Sequence, residues 1–171
     1  METRNIPSLK ASLLALFLMP AGIALAGAPP SGPGADEAVV LTGWLHVEDH
    51  TMADVTLEVL VNGTVQMAHV SESGRFTVSL PADAEATLRF EKPGHLSKEV
   101  MVDTRHSQNG TFNQRTRRLK FAVVMQLERF MTGWTYTGPV GSIGFESGGG
   151  CLAVAHDRSL VPASRNVPMV F

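Results

Sequence analysis

The chain of 171 residues carries 16 acidic and 14 basic side chains, is 44% hydrophobic and holds one cysteine. An intrachain disulfide is therefore excluded, so a core must come from apolar side chains alone, and the length suffices for one domain with appendages. Beyond the amino-terminal run, no segment is apolar enough to cross a bilayer.

Residues 1–26 have the three-part layout of a secretory signal peptide: Arg4 and Lys10, the apolar run "ASLLALFLMP", then the small-residue stretch "AGIALAGAPP". Ala24, Leu25 and Ala26 satisfy an A-x-A site, whereas cutting after Ala28 would set Pro29 at the scissile bond, so cleavage is expected after Ala26. A retained anchor helix is the alternative. The run is short of the ~20 residues a span needs and is broken at Pro20 and Gly22. Without a cysteine near the cleavage site for a lipid anchor, the expectation is a periplasmic or secreted protein that does not span the membrane. Residues 27–38, with "APPSGPG", read as a flexible Pro/Gly linker. Past the signal, residues 27–102 hold 11 acids and 4 bases and residues 103–171 hold 4 acids and 8 bases. The second part is the expected side for an anionic partner.

The predicted fold begins at "VVLTGWLHV", Val39 to Val47. In "VTLEVLV" the residues Val55, Leu57, Val59 and Val61 share one side, the two-residue period of a half-buried strand, with Leu60 out of pattern. Asn62-Gly63 follows, the strongest short signal for a tight hairpin, and "TVQMAHV" is the return strand. "SESGRFTVSL" supplies a turn and then sets Phe76, Val78 and Leu80 on one side. "ATLRFE" does the same with Ala86, Leu88 and Phe90. Lys92-Pro93-Gly94-His95 fits a type II turn, proline presetting φ and glycine supplying a positive φ, after which Val100 and Val102 resume the inward side.

The last strong run is "LKFAVVMQLE", with Leu119, Phe121, Val123, Met125 and Leu127 on one face. The other face, Lys120, Ala122, Val124 and Gln126, is partly apolar, which predicts a central strand. Seven strand candidates between residues 39 and 128, without a helical period, predict an all-β, seven-stranded antiparallel sandwich. Residues 129–171 form a glycine-rich carboxy-terminal extension, in which "SIGFE" and "CLAVAHD" flank Ser147-Gly148-Gly149-Gly150 as a loose hairpin able to cap an open end or edge. A docking segment for a partner is its functional alternative. Cys151 is expected to be a buried, inert thiol, pairing with another chain being the alternative.

The Asn-Gly hairpin, "ESGRFTVSLP", "LRFEKPGHLSKEVMVDT" and the final apolar strand together resemble the transthyretin-like, carboxypeptidase regulatory-like β-sandwich of bacterial exported proteins. The resemblance covers residues 39–128 and rests on Gly74-Arg75-Phe76 and Lys92-Pro93-Gly94-His95. It implies a binding or accessory module rather than a reaction. Two enzymatic branches of related sandwiches fit poorly. The 5-hydroxyisourate hydrolases end in Tyr-Arg-Gly-Ser, whereas this chain ends "NVPMVF", and intradiol dioxygenases need two tyrosines on iron, whereas Tyr136 is the sole tyrosine.

No motif specifies catalysis, a cofactor or a metal. "HVEDH" offers His46, Glu48, Asp49 and His50, but on a strand the two histidines sit ~13 Å apart, which favours a solvated strand end over a shared ion. His156-Asp157 lacks a Gly-x-Ser-x-Gly partner, and no phosphate-binding glycine loop occurs. Asn62-Gly-Thr64 and Asn109-Gly-Thr111 match the N-glycosylation sequon, although Asn-Gly has its own reason to occupy a turn. Two binding clusters stand out. Arg105, Arg115, Arg117, Arg118 and Lys120 surround a polar loop that suits a polyanion, such as lipopolysaccharide phosphate or an acidic glycan more readily than nucleic acid, and a solvated loop is the plain alternative. Trp44 and Trp134 are candidate sugar-stacking contacts, with packing as theirs. The expected function is thus a non-enzymatic module for a protein or anionic envelope component. A carbohydrate-binding accessory module is second and a small transthyretin-like hydrolase third.

Overall fold

The computed structural model describes residues 37–48, 51–112, 116–148 and 150–163. The expected signal peptide lies outside them, as do residues 27–36 of the expected linker, Asp49, His50 and Arg115. The architecture is all-β. Its strands are β1 (Glu37–Val47), β2 (Thr56–Val61), β3 (Thr64–Ala68), β4 (Arg75–Pro81), β5 (Glu85–Glu91), β6 (Lys98–Asp103), β7 (Arg117–Met125), β8 (Trp134–Tyr136), β9 (Gly141–Phe145), β10 (Leu152–His156) and β11 (Leu160–Pro162). The linker expectation therefore runs two residues too far. Glu37 already pairs with Pro81 across an irregularity that precedes Val39.

A three-stranded sheet has the order β4-β1-β7, a six-stranded sheet the order β10-β9-β6-β5-β2-β3, and β8 and β11 form a separate ribbon. Alternation decides what faces inward. Leu41 and Leu45 of β1, Phe76, Val78 and Leu80 of β4, and Val123 and Met125 of β7 share one buried cluster with Leu57, Val59, Leu88, Phe90, Val100 and Val102 of the larger sheet. Phe76 of the smaller sheet meets Phe90 of the larger at 5.4 Å between ring centroids, so one apolar layer holds both sheets. Burying each such side chain contributes roughly 1.5–3 kcal/mol, enough for a core without a covalent staple.

The expectation of wholly antiparallel pairing is corrected at two places: β1 runs parallel to β7, and β6 runs parallel to β9. Parallel neighbours need a long crossover, and five strands lie between β1 and β7 in the chain. The expectation of a central β7 is also corrected. It pairs with β1 on one side and is the edge of its sheet among the described residues. β9 continues the larger sheet beside β6, and β10 pairs antiparallel with β9 from Leu152↔Phe145 to His156↔Gly141.

The reversals have the backbone their residues suggest. Asn62 and Gly63 both have positive φ, 47° and 83°, as a two-residue type I′ turn requires. At Lys92-Pro93-Gly94-His95 the His95 N–H donates to the Lys92 carbonyl at 3.1 Å, with Gly94 at φ 73°. Cys151, expected to be buried, is exposed. It immediately precedes β10, the outermost strand of its sheet among the described residues, whose side chains are exposed.

Candidate functional site

The outer face of the β4-β1-β7 sheet gathers residues that are far apart in the chain. Register sets Ser79, Val40 and Arg118 in one row, Thr77, Thr42 and Lys120 in the next, and Arg75, Trp44 and Ala122 in a third. His46 stands opposite Val124 beyond them. These rows contain no carboxylate, and among the described residues no acid pairs with Arg75, Arg118 or Lys120. Trp44 is 37% exposed at the middle strand. Side chains two apart on a strand lie about 7 Å apart, so the face is a flat cationic platform with an indole set into it.

The opposite outer face, on the larger sheet, has the other sign. Glu58, Arg89 and Glu99 lie side by side, Arg89 reaching Glu99 at 2.8 Å and Glu58 at 3.9 Å. Arg105 joins this side rather than the platform: its Nε donates to Asp103 at 2.9 Å and its Nη2 pairs with Glu85 at 2.9 Å. That contact holds the Asp103 carboxyl below the usual carboxylate range.

The arginine loop of the sequence is thus divided by the fold. Arg118 and Lys120 are exposed on the platform. Arg117, one residue earlier, belongs to the inward register of β7, donates to the Ser107 carbonyl at 3.2 Å and the Gly150 carbonyl at 2.7 Å, and stacks over Phe145 at 4.9 Å. It ties the β9–β10 turn to the residues after β6. The two tryptophans are divided as well: Trp134 sits on the β8–β11 ribbon opposite Pro162, and among the described residues no ring contact joins it to Trp44. Of the "HVEDH" cluster, His46 is on the outer face, while a Glu48 Oε2 accepts the Leu127 N–H at 2.9 Å. Asp157 accepts from the Ser159 N–H at 2.9 Å and hydroxyl at 2.7 Å, which shapes a turn and lowers its pKa.

Sequence reasoning missed Lys98. It occupies the inward side of β6 in register with Val100 and Val102 and is only 8% exposed. Its Nζ lies 5.1 Å from the centroid of the Tyr136 ring, and the Tyr136 hydroxyl donates to Gln126 Oε1. Burial, joined by the nearby Arg158 cation, lowers the Lys98 pKa, with Glu48 acting the other way. Burial raises the Tyr136 pKa. Lys98 lines a cleft of about 310 Å³ between the edge of β7 and strands β6, β9 and β10. The available signal was its parity with Val100 and Val102, which lysine's usual preference for solvent overrides.

No family model matches the chain, and no curated protein matches it. Among solved structures it is similar to a type II cohesin–X-dockerin complex from Acetivibrio cellulolyticus, a carboxy-terminal interface mutant, at 14% identity with a TM-score of 0.35. The match covers 52% of this chain and 58% of that one, so the chain spans little more than half the length of its neighbour. No helix among the described residues is long and apolar enough to cross a membrane.

Proposed function

We propose that this protein is an exported, non-enzymatic β-sandwich module of the transthyretin-like, carboxypeptidase regulatory-like kind that binds an acidic glycan of the cell envelope. The single observation carrying the reading is the coincidence of Arg75, Arg118, Lys120 and Trp44 on one sheet face, in register rows that contain no carboxylate. Guanidinium and ammonium groups bind carboxylate and sulfate substituents, and an exposed indole stacks on the apolar face of a sugar ring. The polyanion and carbohydrate readings of the sequence thereby become one surface. Export is supported by the signal-peptide layout of residues 1–26, and family membership by the turn glycines Gly74 and Gly94, both at positive φ beside strands. The non-enzymatic reading is supported by the dispersal of His46, His69, His95, His106 and His156 over different strands and turns.

The test is retention on immobilised heparin as a probe polyanion, with tryptophan emission followed during titration. Wild-type retention should fall steeply with salt. The triple change Arg75→Ala, Arg118→Ala, Lys120→Ala should abolish it, and Trp44→Phe should remove the emission change. Undiminished retention of the triple variant would overturn the proposal.

A further inference from the structure

Lys98 is a cation on the inward side of β6, lining a cleft that the glycan-binding platform does not use. An ammonium group is rarely buried unless a carboxylate or several acceptors receive it. Here the residue is 8% exposed, its stem is enclosed while its Nζ keeps access to water, and the protein contact that the Nζ makes among the described residues is with the face of Tyr136. Glu48 is the acid whose charge it feels, and one oxygen of that carboxylate is already engaged by the Leu127 N–H. Arg158, exposed at the rim, adds a second cation to the same cleft.

The remaining walls are of opposite character. Val100, Phe121, Val140 and Val154 present hydrocarbon to a space of about 310 Å³ that Gln126 and His156 also line. Small-molecule sites commonly occupy ~300–1,000 Å³, mainly apolar with a few convergent polar groups. A doubly charged or polyhydroxylated ligand would strand polar atoms against the valines, whereas a neutral hydrocarbon would leave the ammonium uncompensated. The geometry points to a compact organic monocarboxylate with an apolar body, its carboxylate received by Lys98 and Arg158 and its hydrocarbon laid against Val100, Phe121, Val140 and Val154. Such a ligand would replace water as the acceptor of the Lys98 ammonium, and its apolar part would cover the exposed edge of β7.

The cleft touches Ala122 and Val124 at the rim of the outer face but uses neither Trp44 nor any platform cation, so the two readings fail independently. Calorimetric titration of the full chain with octanoate, 1-octanol and acetate isolates the head group from the body. Octanoate should bind, and 1-octanol and acetate should each bind at least about tenfold more weakly, the loss of a charge-assisted hydrogen bond or of the buried hydrocarbon. Methyl resonances of Val100, Val140 and Val154 should shift with octanoate. Lys98→Met should weaken octanoate by about tenfold or more while heparin retention persists. If Lys98→Met does not fold, the exposed change Arg158→Gln decides, with weakening of several-fold expected. Equal affinity for octanoate and 1-octanol, no octanoate binding at millimolar concentration, or octanoate affinity unchanged in the deciding variant would each overturn the assignment.

Discussion

Phe76 lies across from Gly43 in the β1–β4 register, and its ring fills the space that a Cβ on Gly43 would take. The same ring meets Phe90 at 5.4 Å and Phe121, edge-on, at 5.5 Å, so it joins all the layers of the core around a missing side chain. Gly43→Ala should therefore drive Phe76 off its rotamer and lower stability by about 1–3 kcal/mol. Urea denaturation measures this. An unchanged midpoint would mean that the ring has room to move.

Thr104 is fully buried at the end of β6, where its hydroxyl donates to the Pro81 carbonyl at 2.7 Å and accepts the Ala84 N–H at 2.9 Å. Thr104→Val keeps the shape and leaves both backbone groups without that partner, which should cost about 1–3 kcal/mol. Thr104→Ser, retaining the hydroxyl, should lose less. Thermal unfolding of the pair distinguishes hydrogen bonding from packing, and equal losses would assign the effect to packing.

Stability should vary with pH on the alkaline side through two groups of opposite sign, the buried Lys98 and the half-buried Tyr136. Lys98 has a folded pKa below its unfolded value, so the unfolded chain binds more protons and stability rises with pH up to the unfolded value of about 10.4. Tyr136 has a raised folded pKa, so its contribution is present below about 10 and is lost as pH rises through the raised value. Lys98→Met should remove the rise and keep the fall, and Tyr136→Phe should do the reverse. Unfolding free energies measured across pH 7 to 11 check both, and a Lys98→Met profile parallel to wild type would refute the burial account.

Cys151 is exposed before β10, an edge strand among the described residues, so a thiol reagent should modify it in the native protein without waiting for unfolding. Labelling in buffer should approach the rate found in denaturant. Protection that disappears only in denaturant would show that another surface covers this edge.

The inner faces of the two sheets were legible in local pattern. Alternation alone places Phe76, Val78 and Leu80 together, and Ala86, Leu88 and Phe90 together, because a strand sends successive side chains to opposite sides whatever it packs against. Asn62-Gly63 and Pro93-Gly94 were equally readable, since positive φ is a property of the residue. The candidate sites were legible only in their ingredients. Arg118 and Arg117 are neighbours in the chain, yet the pleat sends one to solvent and the other toward Phe145.

By itself the amino-acid order determined an all-β chain, the positions of its reversals and the side of each strand that seeks an apolar layer, because those depend on interactions within a few residues. Only the tertiary structure decided that β1 lies between β4 and a parallel β7, that Trp44 therefore stands among Arg75 and Lys120, and that Lys98 packs beside Tyr136. Strand order and register bring together residues tens of positions apart, and the free energy that selects them belongs to the shared core of both sheets rather than to any one segment.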